Sequence, residues 1–438
     1  MSTKKRQRGP RPPASLLFAD DQGRFFDHPD LLAVGQAWQE LQPLPPGILC
    51  HEPEGMDVVF LPGRRPVGLD PDTGVPVVLE EVEMDGSLMV PHAVAATVPP
   101  GYLRFAMPAM RAESTPPTLP LRAYTAVAWS AGRIGLAAQR IDPHKHWDPA
   151  RFPHQKVQAA VLQGLQKLPG NKLVEQIAHC ARDYACCTAS NFFLGTTEAA
   201  LPVAPTCNAR CLGCISEQEE APSPQLRIER PALVEHVVQA ALFHLNRVES
   251  GMVSFGQGCE GEPLTQAERI KEAIFAIREK TDRGGVHMNT NGSRPSELAG
   301  LVEAGLQSVR VSLFSARQAA FDAYHRADFG LDQVEQFVRE AVERGLVVSV
   351  NYLVVPGYHD REEEREAFAG FLARTGAHMV QLRNLDMDPD RLFEALVPPE
   401  GHAVGLRKLP EWLRKQRPGL RTGSFNPLPD SWAELRSP

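Results

Sequence analysis

The feature that most constrains the fold is a regular alternation of apolar β-type runs with helical patterns in the second half of the chain. The first apolar run, at 200–204, leads into a cysteine-rich loop, and five more runs follow at regular intervals. Strands that alternate with helices predict a parallel sheet, because a helix must carry the chain back before each new parallel strand. The predicted strands are 200–204, 252–256, 286–290, 308–314, 347–355 and 378–385, and the predicted crossover helices are 231–248, 265–280, 295–304, 331–344 and 361–374.

No dinucleotide fingerprint of glycines follows the first strand, so six strands joined by five helices suit a curved partial barrel as well as an open doubly wound sheet. The predicted fold class is therefore α/β: a partial (β/α)6 TIM-like barrel, preceded by an N-terminal β-rich domain and a helical connector. In barrels of this kind the chemistry lies on the loops after the strands. In this chain the cysteine loop follows the first predicted strand, and the loop GQGCEGEPL follows the second.

The remainder of the chain divides by its local patterns. Short β-branched runs between Pro, Gly and Asp residues predict strands before residue 150, including a hairpin with arms at 124–129 and 134–138. Apolar residues at helical spacing follow. The predicted division is a disordered basic tail at 1–14, a β-rich domain at 15–150, a helical connector at 151–198, the barrel at 199–385 and a C-terminal cap at 386–438 with a helix at 403–416.

Charge and hydropathy exclude some classes of protein. The net charge is −7, which does not favour a nucleic-acid ligand. The basic segment Lys4, Lys5, Arg6, Arg8 and Arg11 is the local exception. No apolar run approaches the roughly 18–20 residues that cross a bilayer, and the N-terminus does not read as a secretory signal. We therefore expect a cytoplasmic protein without a membrane partner.

The cysteines carry the strongest functional signal. The chain has eight, six of them between residues 180 and 214, and in a cytosolic chain such clustering favours metal binding or catalysis over disulfides. Cys207, Cys211 and Cys214 form a C-x3-C-x2-C motif. Three thiolates on one loop suit three corners of a [4Fe–4S] cluster and leave the fourth iron open. A zinc site is the alternative, with a fourth ligand from His179, Cys180, Cys186 or Cys187.

This motif, at the end of the first predicted barrel strand, resembles the signature of the radical S-adenosylmethionine (SAM) superfamily. The resemblance covers about 199–385. It implies an enzyme whose [4Fe–4S] cluster binds SAM, takes an electron from a reductant such as flavodoxin or ferredoxin, and cleaves SAM to a 5′-deoxyadenosyl radical. The radical would then remove hydrogen from a substrate that the sequence does not identify. The chain departs from the family at Gly213, where an aromatic residue usually precedes the third cysteine.

The segment 255–264 resembles the family's glycine–glutamate loop, which binds the SAM ammonium. Its glycines let backbone carbonyls approach a cation, and Glu262 adds negative charge; a simple tight turn is the alternative. The turn at 289–292 resembles another family segment, although Asn–Gly forms turns in any protein. The predicted cofactor-binding residues are Gly258, Gly261, Glu262, Asn291, Ser312, Asn351 and Val355.

Cys259 lies in the predicted SAM-binding loop and has no role in the family. One hypothesis makes it catalytic, as a hydrogen-atom donor or substrate contact; the alternative is a small buried thiol. Cys180, Cys186 and Cys187 could ligate a second cluster. Two rival functions stay open: modification of RNA or protein recruited through the N-terminal domain, and a non-enzymatic iron–sulfur or zinc protein.

Overall fold

The computed structural model describes residues 13–84, 86–143, 145–218 and 223–436, so the predicted basic tail lies almost wholly outside the described residues. The helices are α1 His154–Lys167, α2 Lys172–Asp183, α3 Cys187–Leu194, α4 Val234–Leu245, α5 Ala267–Arg278, α6 Leu298–Ala304, α7 Gln318–His325, α8 Leu331–Glu343, α9 Glu362–Thr375, α10 Pro389–Ala395, α11 Leu409–Gln416 and α12 Trp432–Arg436. The strands are β1 Ser15–Ala19, β2 Phe25–Ala37, β3 Glu40–Pro43, β4 Cys50–His51, β5 Asp57–Leu61, β6 Arg64–Leu69, β7 Pro76–Val78, β8 Val82–Met84, β9 Ser87–Met89, β10 His92–Thr97, β11 Tyr102–Arg104, β12 Met107–Pro108, β13 Met110–Ala112, β14 Thr125–Ser130, β15 Arg133–Leu136, β16 Ala138–Arg140, β17 Glu198–Ala200, β18 Met252–Phe255, β19 Gly285–Thr290, β20 Ser308–Leu313, β21 Val347–Val354, β22 Met379–Asn384 and β23 Arg421–Gly423.

The N-terminal half forms antiparallel sheet. Most of its strands join one sheet whose central order is β13-β6-β2-β1-β10-β14-β15-β4. The predicted hairpin is β14–β15, in which Ser130 pairs with Arg133. Ala131 and Gly132 between them both have positive φ, as a two-residue turn that matches strand twist requires.

The C-terminal half confirms the predicted parallel sheet. Its order, β17-β18-β19-β20-β21-β22-β23, follows the sequence, and every pairing is parallel. The central strands are buried along almost their whole length, as expected when helices cover a parallel sheet. The fold is a partial β/α barrel.

Three features of the barrel differ from the sequence predictions. A seventh strand, β23, comes from the segment that we predicted as part of the cap. Helix α7 follows β20 and precedes α8, where only one helix was predicted. Helix α11 begins at Leu409 rather than at 403. Strands as short as β23 lack a periodic pattern, because three residues do not complete two alternations.

The predicted connector consists of helices α1, α2 and α3, which pack against one another and against the barrel. The apolar faces of α2 and α4 contribute to the same core as the barrel strands. Among the described residues, no helix is both long and apolar enough to cross a membrane.

The N-terminal sheet packs on the carboxyl ends of strands β21 and β22. The buried Arg64 guanidinium donates to Asp388 (3.1 Å) and to Asp390 (3.0 Å), which flank the start of α10. Arg104, also buried, donates from its backbone N–H to the Asn384 side chain and from Nη2 to the Leu385 carbonyl (2.8 Å). The β-rich domain therefore borders the loops where barrel chemistry is expected.

Replacing Arg64 with Met tests this attachment. The change leaves Asp388 buried without its cation, and we expect the free energy of unfolding to fall by about 3–5 kcal/mol. Urea unfolding measures the loss. The matched control is Arg111→Ala, which removes an ion pair with Glu80 that is more than half exposed and should cost less than about 1 kcal/mol. Equal effects of the two changes would contradict the assigned role of Arg64.

Candidate functional site

The three-cysteine loop runs from 207 to 214, after β17, and is held against the end of helix α7. The Arg210 N–H donates to the His325 carbonyl (3.0 Å), and the Leu212 N–H donates to the Tyr324 carbonyl (3.0 Å). The bonds alternate with the cysteines, so they fix the backbone around Cys211. All three cysteines are free and partly exposed.

The donor set fits an iron–sulfur cluster. Burial raises the pKa of Cys207 to about 11 and raises the pKa of Cys211 further, with the neighbouring thiols adding to both shifts. Three thiolates on one short loop need nearby positive charge, which the irons of a cluster would supply as the thiols lose their protons. Among the described residues, no three His, Cys, Asp or Glu side chains are placed to hold one metal ion. A [4Fe–4S] cluster needs a different arrangement of ligands, because each thiolate binds its own iron at a separate corner.

A cavity of about 310 Å³ lies between the cysteine loop and the strand ends; we call it the strand-end cavity. The three cysteines line it together with most of the predicted cofactor-binding residues, which come from four different loops and strands. Those residues are Gly258, Gly261, Glu262, Asn291, Ser312 and Asn351. Val355 is not among the lining residues: its side chain is buried and its N–H donates to His359.

Glu262 connects the loop after β18 to the end of β19. Its carboxylate accepts from Thr290 Oγ1 (2.5 Å), from the Asn291 N–H (2.8 Å) and from the Leu264 N–H (3.0 Å). Burial raises the pKa of Glu262 to about 7, and these donors oppose that shift. The carboxylate thus lines the cavity in a fixed orientation.

Glu260 is a site residue that the sequence analysis missed. Its buried carboxylate accepts from the N–H groups of Val203 (2.7 Å) and Ala204 (2.9 Å), before the cysteine loop, and from those of Gly256 and Gln257, after β18. Burial raises the pKa of Glu260 to about 7, while the four donors favour the ionised form. The signal in the sequence that could have identified Glu260 is its position, two residues before Glu262 in the same glycine-rich loop.

Comparison with known proteins agrees with this geometry. Residues 201–369 match the model of the radical SAM superfamily. The barrel belongs to the radical SAM superfamily. Its cofactors are accordingly a [4Fe–4S] cluster and SAM.

Several curated proteins resemble this radical SAM region. The GTP 3′,8-cyclase of Aquifex aeolicus (strain VF5) is 28% identical over 158 residues, which are 36% of this chain and 47% of that protein. GTP 3′,8-cyclase 2 of Mycobacterium tuberculosis (strain ATCC 25618 / H37Rv) is 34% identical over 123 residues, or 28% of this chain and 32% of that protein. The chain thus spans less than half the length of these relatives.

Solved structures also match at low identity. Streptococcus suis SuiB bound to precursor peptide SuiA is 14% identical, with a TM-score of 0.37 over 57% of this chain and 52% of that one. The FeFe-hydrogenase maturase HydG from Carboxydothermus hydrogenoformans is 13% identical, with a TM-score of 0.38 over 65% of this chain and 74% of that one.

Gly213, the departure from the usual radical SAM motif, has a steric explanation. A Cβ on residue 213 would lie 2.8 Å from Leu385 Cδ1 and 2.9 Å from the Tyr324 hydroxyl oxygen. Tyr324 lines the strand-end cavity and stacks on Phe314, with ring centroids 4.3 Å apart. An aromatic ring is therefore present here, but helix α7 supplies it instead of the cysteine loop.

Two arginines bring positive charge to the wall of the cavity. Arg310 on β20 and Arg383 on β22 both line it, and so does Asp386. Burial, and then the charge of Arg383, lower the pKa of Arg310 to about 9. Arg383 donates from Nη1 to the Ser424 carbonyl (2.7 Å).

Cys259 lies outside the strand-end cavity. It lines a neighbouring cavity of about 250 Å³ together with Cys180, Cys186 and Cys187, and it is absent from the lining of the strand-end cavity. Both cavities share Ile215, Gln257 and Gly258. The hypothesis that Cys259 donates hydrogen stays a prediction. The thiol that acts most strongly on the pKa of Cys259 is Cys180.

Two glycine substitutions test the loop after β18. A Cβ at residue 261 would lie 2.0 Å from the Thr206 carbonyl oxygen, whereas a Cβ at 258 would meet only the side-chain ends of Ile215 and Gln225. Backbone cannot move aside as a side chain can. We expect Gly261→Ala to raise the Kd for SAM at least about tenfold, a cost near 1.4 kcal/mol.

The matched control is Gly258→Ala, which should change the Kd less than about threefold because the side chains can rotate. Equilibrium binding of SAM to the reconstituted protein measures both. If Gly258→Ala weakened binding as much as Gly261→Ala, the backbone clash would not be the cause.

Proposed function

We propose that this chain is an enzyme that cleaves SAM reductively and uses the resulting radical to remove hydrogen from a substrate. The observation that carries the proposal is the shared cavity: Cys207, Cys211 and Cys214 face the glycine–glutamate loop and the polar strand ends across it. When bound and reduced, the cluster and SAM together supply the 5′-deoxyadenosyl radical.

An unpaired acceptor in the cavity supports SAM as the ligand. Asn351 donates from Nδ2 to Ser312 Oγ (3.4 Å), but no described residue donates to its buried Oδ1. A buried polar atom in a native protein normally has a partner. A ribose hydroxyl would supply the missing donor, and Ser312 beside it can accept a second one.

The roles of the other residues follow from their contacts. Glu262 is held where it can accept from the SAM ammonium without reorganising, since three donors already fix its carboxylate. Tyr324 lines the cavity beside Gly213 and would border the adenine ring there. The β-rich domain borders the mouth through Arg104, where it would limit the access of water to the radical.

The substrate would enter beside Arg310 and Arg383, which favour an anionic group. The curated relatives are named for GTP, but they match only 28–36% of this chain. The substrate of this chain therefore does not follow from their names. Recruitment of RNA or a protein by the N-terminal domain, a flavodoxin or ferredoxin reductant, and a cytoplasmic location stay predictions from the sequence.

An assay for 5′-deoxyadenosine tests the proposal. The protein is purified anaerobically, reconstituted with iron and sulfide, and incubated with SAM and dithionite. We expect 5′-deoxyadenosine from the native chain and a loss of at least about 100-fold in Cys211→Ala, because the cluster loses one of its three ligands.

The matched control is Cys50→Ala, which removes a thiol in the N-terminal sheet and should leave the rate within about twofold. An assembled cluster that neither binds nor cleaves SAM would reject the enzymatic proposal. It would favour the rival, a non-enzymatic iron–sulfur protein.

A further inference from the structure

Four cysteines outside the C-x3-C-x2-C motif line one cavity, which we call the four-cysteine cavity. Cys180 lies near the end of α2, Cys186 and Cys187 lie at the start of α3, and Cys259 lies in the loop after β18. The cavity of about 250 Å³ equals the liquid volume of roughly eight water molecules. The fold has therefore gathered thiols from three separate segments around a space large enough for a ligand.

Three of these thiols lie close to one another. The Cys180 and Cys259 thiols interact closely enough to shift each other's pKa, raising that of Cys259 and lowering that of Cys180. Cys186 is held beside Cys180, because its N–H donates to the Cys180 carbonyl (3.1 Å). The charge of Cys186 also raises the pKa of Cys259. Cys187 interacts with Cys186 alone among the cysteines. The result is a group of three thiols with a fourth at its edge.

Thiols also influence one another in the cysteine loop, where Cys207 and Cys214 both raise the pKa of Cys211. Neither group is placed to hold a single metal ion, within the part of the chain that the structure describes. Three neighbouring thiols that do not surround one ion suit a cluster, in which separate irons take separate thiolates.

The charges around the cavity favour an anionic occupant. Arg310 and Arg383 line this cavity as well as the strand-end cavity. Arg310 Nε is buried and lacks a hydrogen-bond partner among the described residues. Glu198 is the acidic residue that lines the cavity, and its Oε1 already accepts from Gln257 and Asn426. A cluster with three thiolates carries net negative charge, which buried cations stabilise.

We propose that Cys180, Cys186 and Cys259 bind a second [4Fe–4S] cluster in the four-cysteine cavity. The three thiols lose their protons to solvent as iron binds, and each thiolate binds one iron. The proposed site adjoins the strand-end cavity, because Ile215, Gln257 and Gly258 line both cavities.

Metal analysis of the full chain after anaerobic reconstitution tests this proposal. We expect about eight irons and eight sulfides in the native chain, and about four of each in the combined variant Cys180→Ala, Cys186→Ala, Cys259→Ala. The complementary variant Cys207→Ala, Cys211→Ala, Cys214→Ala should also retain about four. Its retained cluster should give an electron paramagnetic resonance signal that SAM does not alter.

Cys187→Ser is the matched control and should keep about eight irons. About four irons in the native chain and none in the Cys207, Cys211 and Cys214 variant would overturn the proposal. So would a Cys180–Cys259 disulfide or one zinc ion in the reconstituted protein, or a loss of iron in Cys187→Ser. The complementary variant decides the question even if the first variant fails to fold, and 5′-deoxyadenosine formation is scored separately from iron content.

A different observation concerns His325, at the end of α7. The Phe314 N–H donates to His325 Nε2 (3.2 Å), so that nitrogen carries no proton. The ring proton is therefore on Nδ1, which lies 3.4 Å from Cys211 Sγ. The geometry leaves the histidine one N–H group, and it points at a sulfur that the proposed function makes a cluster ligand.

We infer that His325 is a positioning residue that raises the reduction potential of the cluster on Cys207, Cys211 and Cys214. A hydrogen bond to a ligating sulfur stabilises the more negative, reduced state. This inference rests on the proposed function only in requiring the cluster, since a potential can be measured without SAM cleavage.

Redox titration of the reconstituted cluster, followed by electron paramagnetic resonance, tests the role of His325. We measure it in the Cys180, Cys186, Cys259 variant so that a single cluster is observed. His325→Phe should make the potential more negative, and His325→Asn, which restores an N–H near Nδ1, should return it toward the native value. His359→Gln, a buried histidine that bonds Phe314 and Val355 instead, should leave it unchanged. An unshifted potential in His325→Phe, or equal shifts in all three, would overturn the inference.

Discussion

The site depends on one buried carboxylate, that of Glu260. Val203 and Ala204 donate to it from the strand end that leads into the cysteine loop, and Gly256 and Gln257 donate from the loop after β18. A single side chain therefore sets the spacing between the three-cysteine loop and the glycine–glutamate loop. Since it satisfies four backbone N–H groups that would otherwise be buried without partners, its loss would free both loops at once.

Glu260 also explains why the two cavities adjoin. Its neighbour Cys259 turns toward the helical connector, while Glu262 turns toward the strand-end cavity. The short segment between them forms part of both walls. The β-rich domain and the C-terminal segment complete the four-cysteine cavity with Trp147 and Phe425, whose rings stack 5.3 Å apart. Parts of the chain before and after the barrel thus border the region beside the cofactor site, which is where a radical enzyme must exclude water.

The sequence predicted the features that are local along the chain. The alternation of strands and helices specified a parallel sheet, and the predicted strands agree with the observed ones to within a few residues. The C-x3-C-x2-C spacing identified the superfamily because three ligands on one loop are already neighbours before folding. The predicted polar residues at strand ends line one cavity for a similarly general reason: parallel strands end at the same edge of a sheet.

The tertiary structure decided what depends on contacts between distant segments. Cys259 meets Cys180 and Cys186 only because the connector helices pack beside the loop after β18. Tyr324 fills the space above Gly213 only because α7 folds back over the cysteine loop, and the tautomer of His325 follows from its bond to Phe314. Local periodicity reports which face of an element is apolar, but not which other element will cover that face. The sequence by itself thus determined the barrel and its cluster motif, whereas packing decided which thiols, rings and charges surround them.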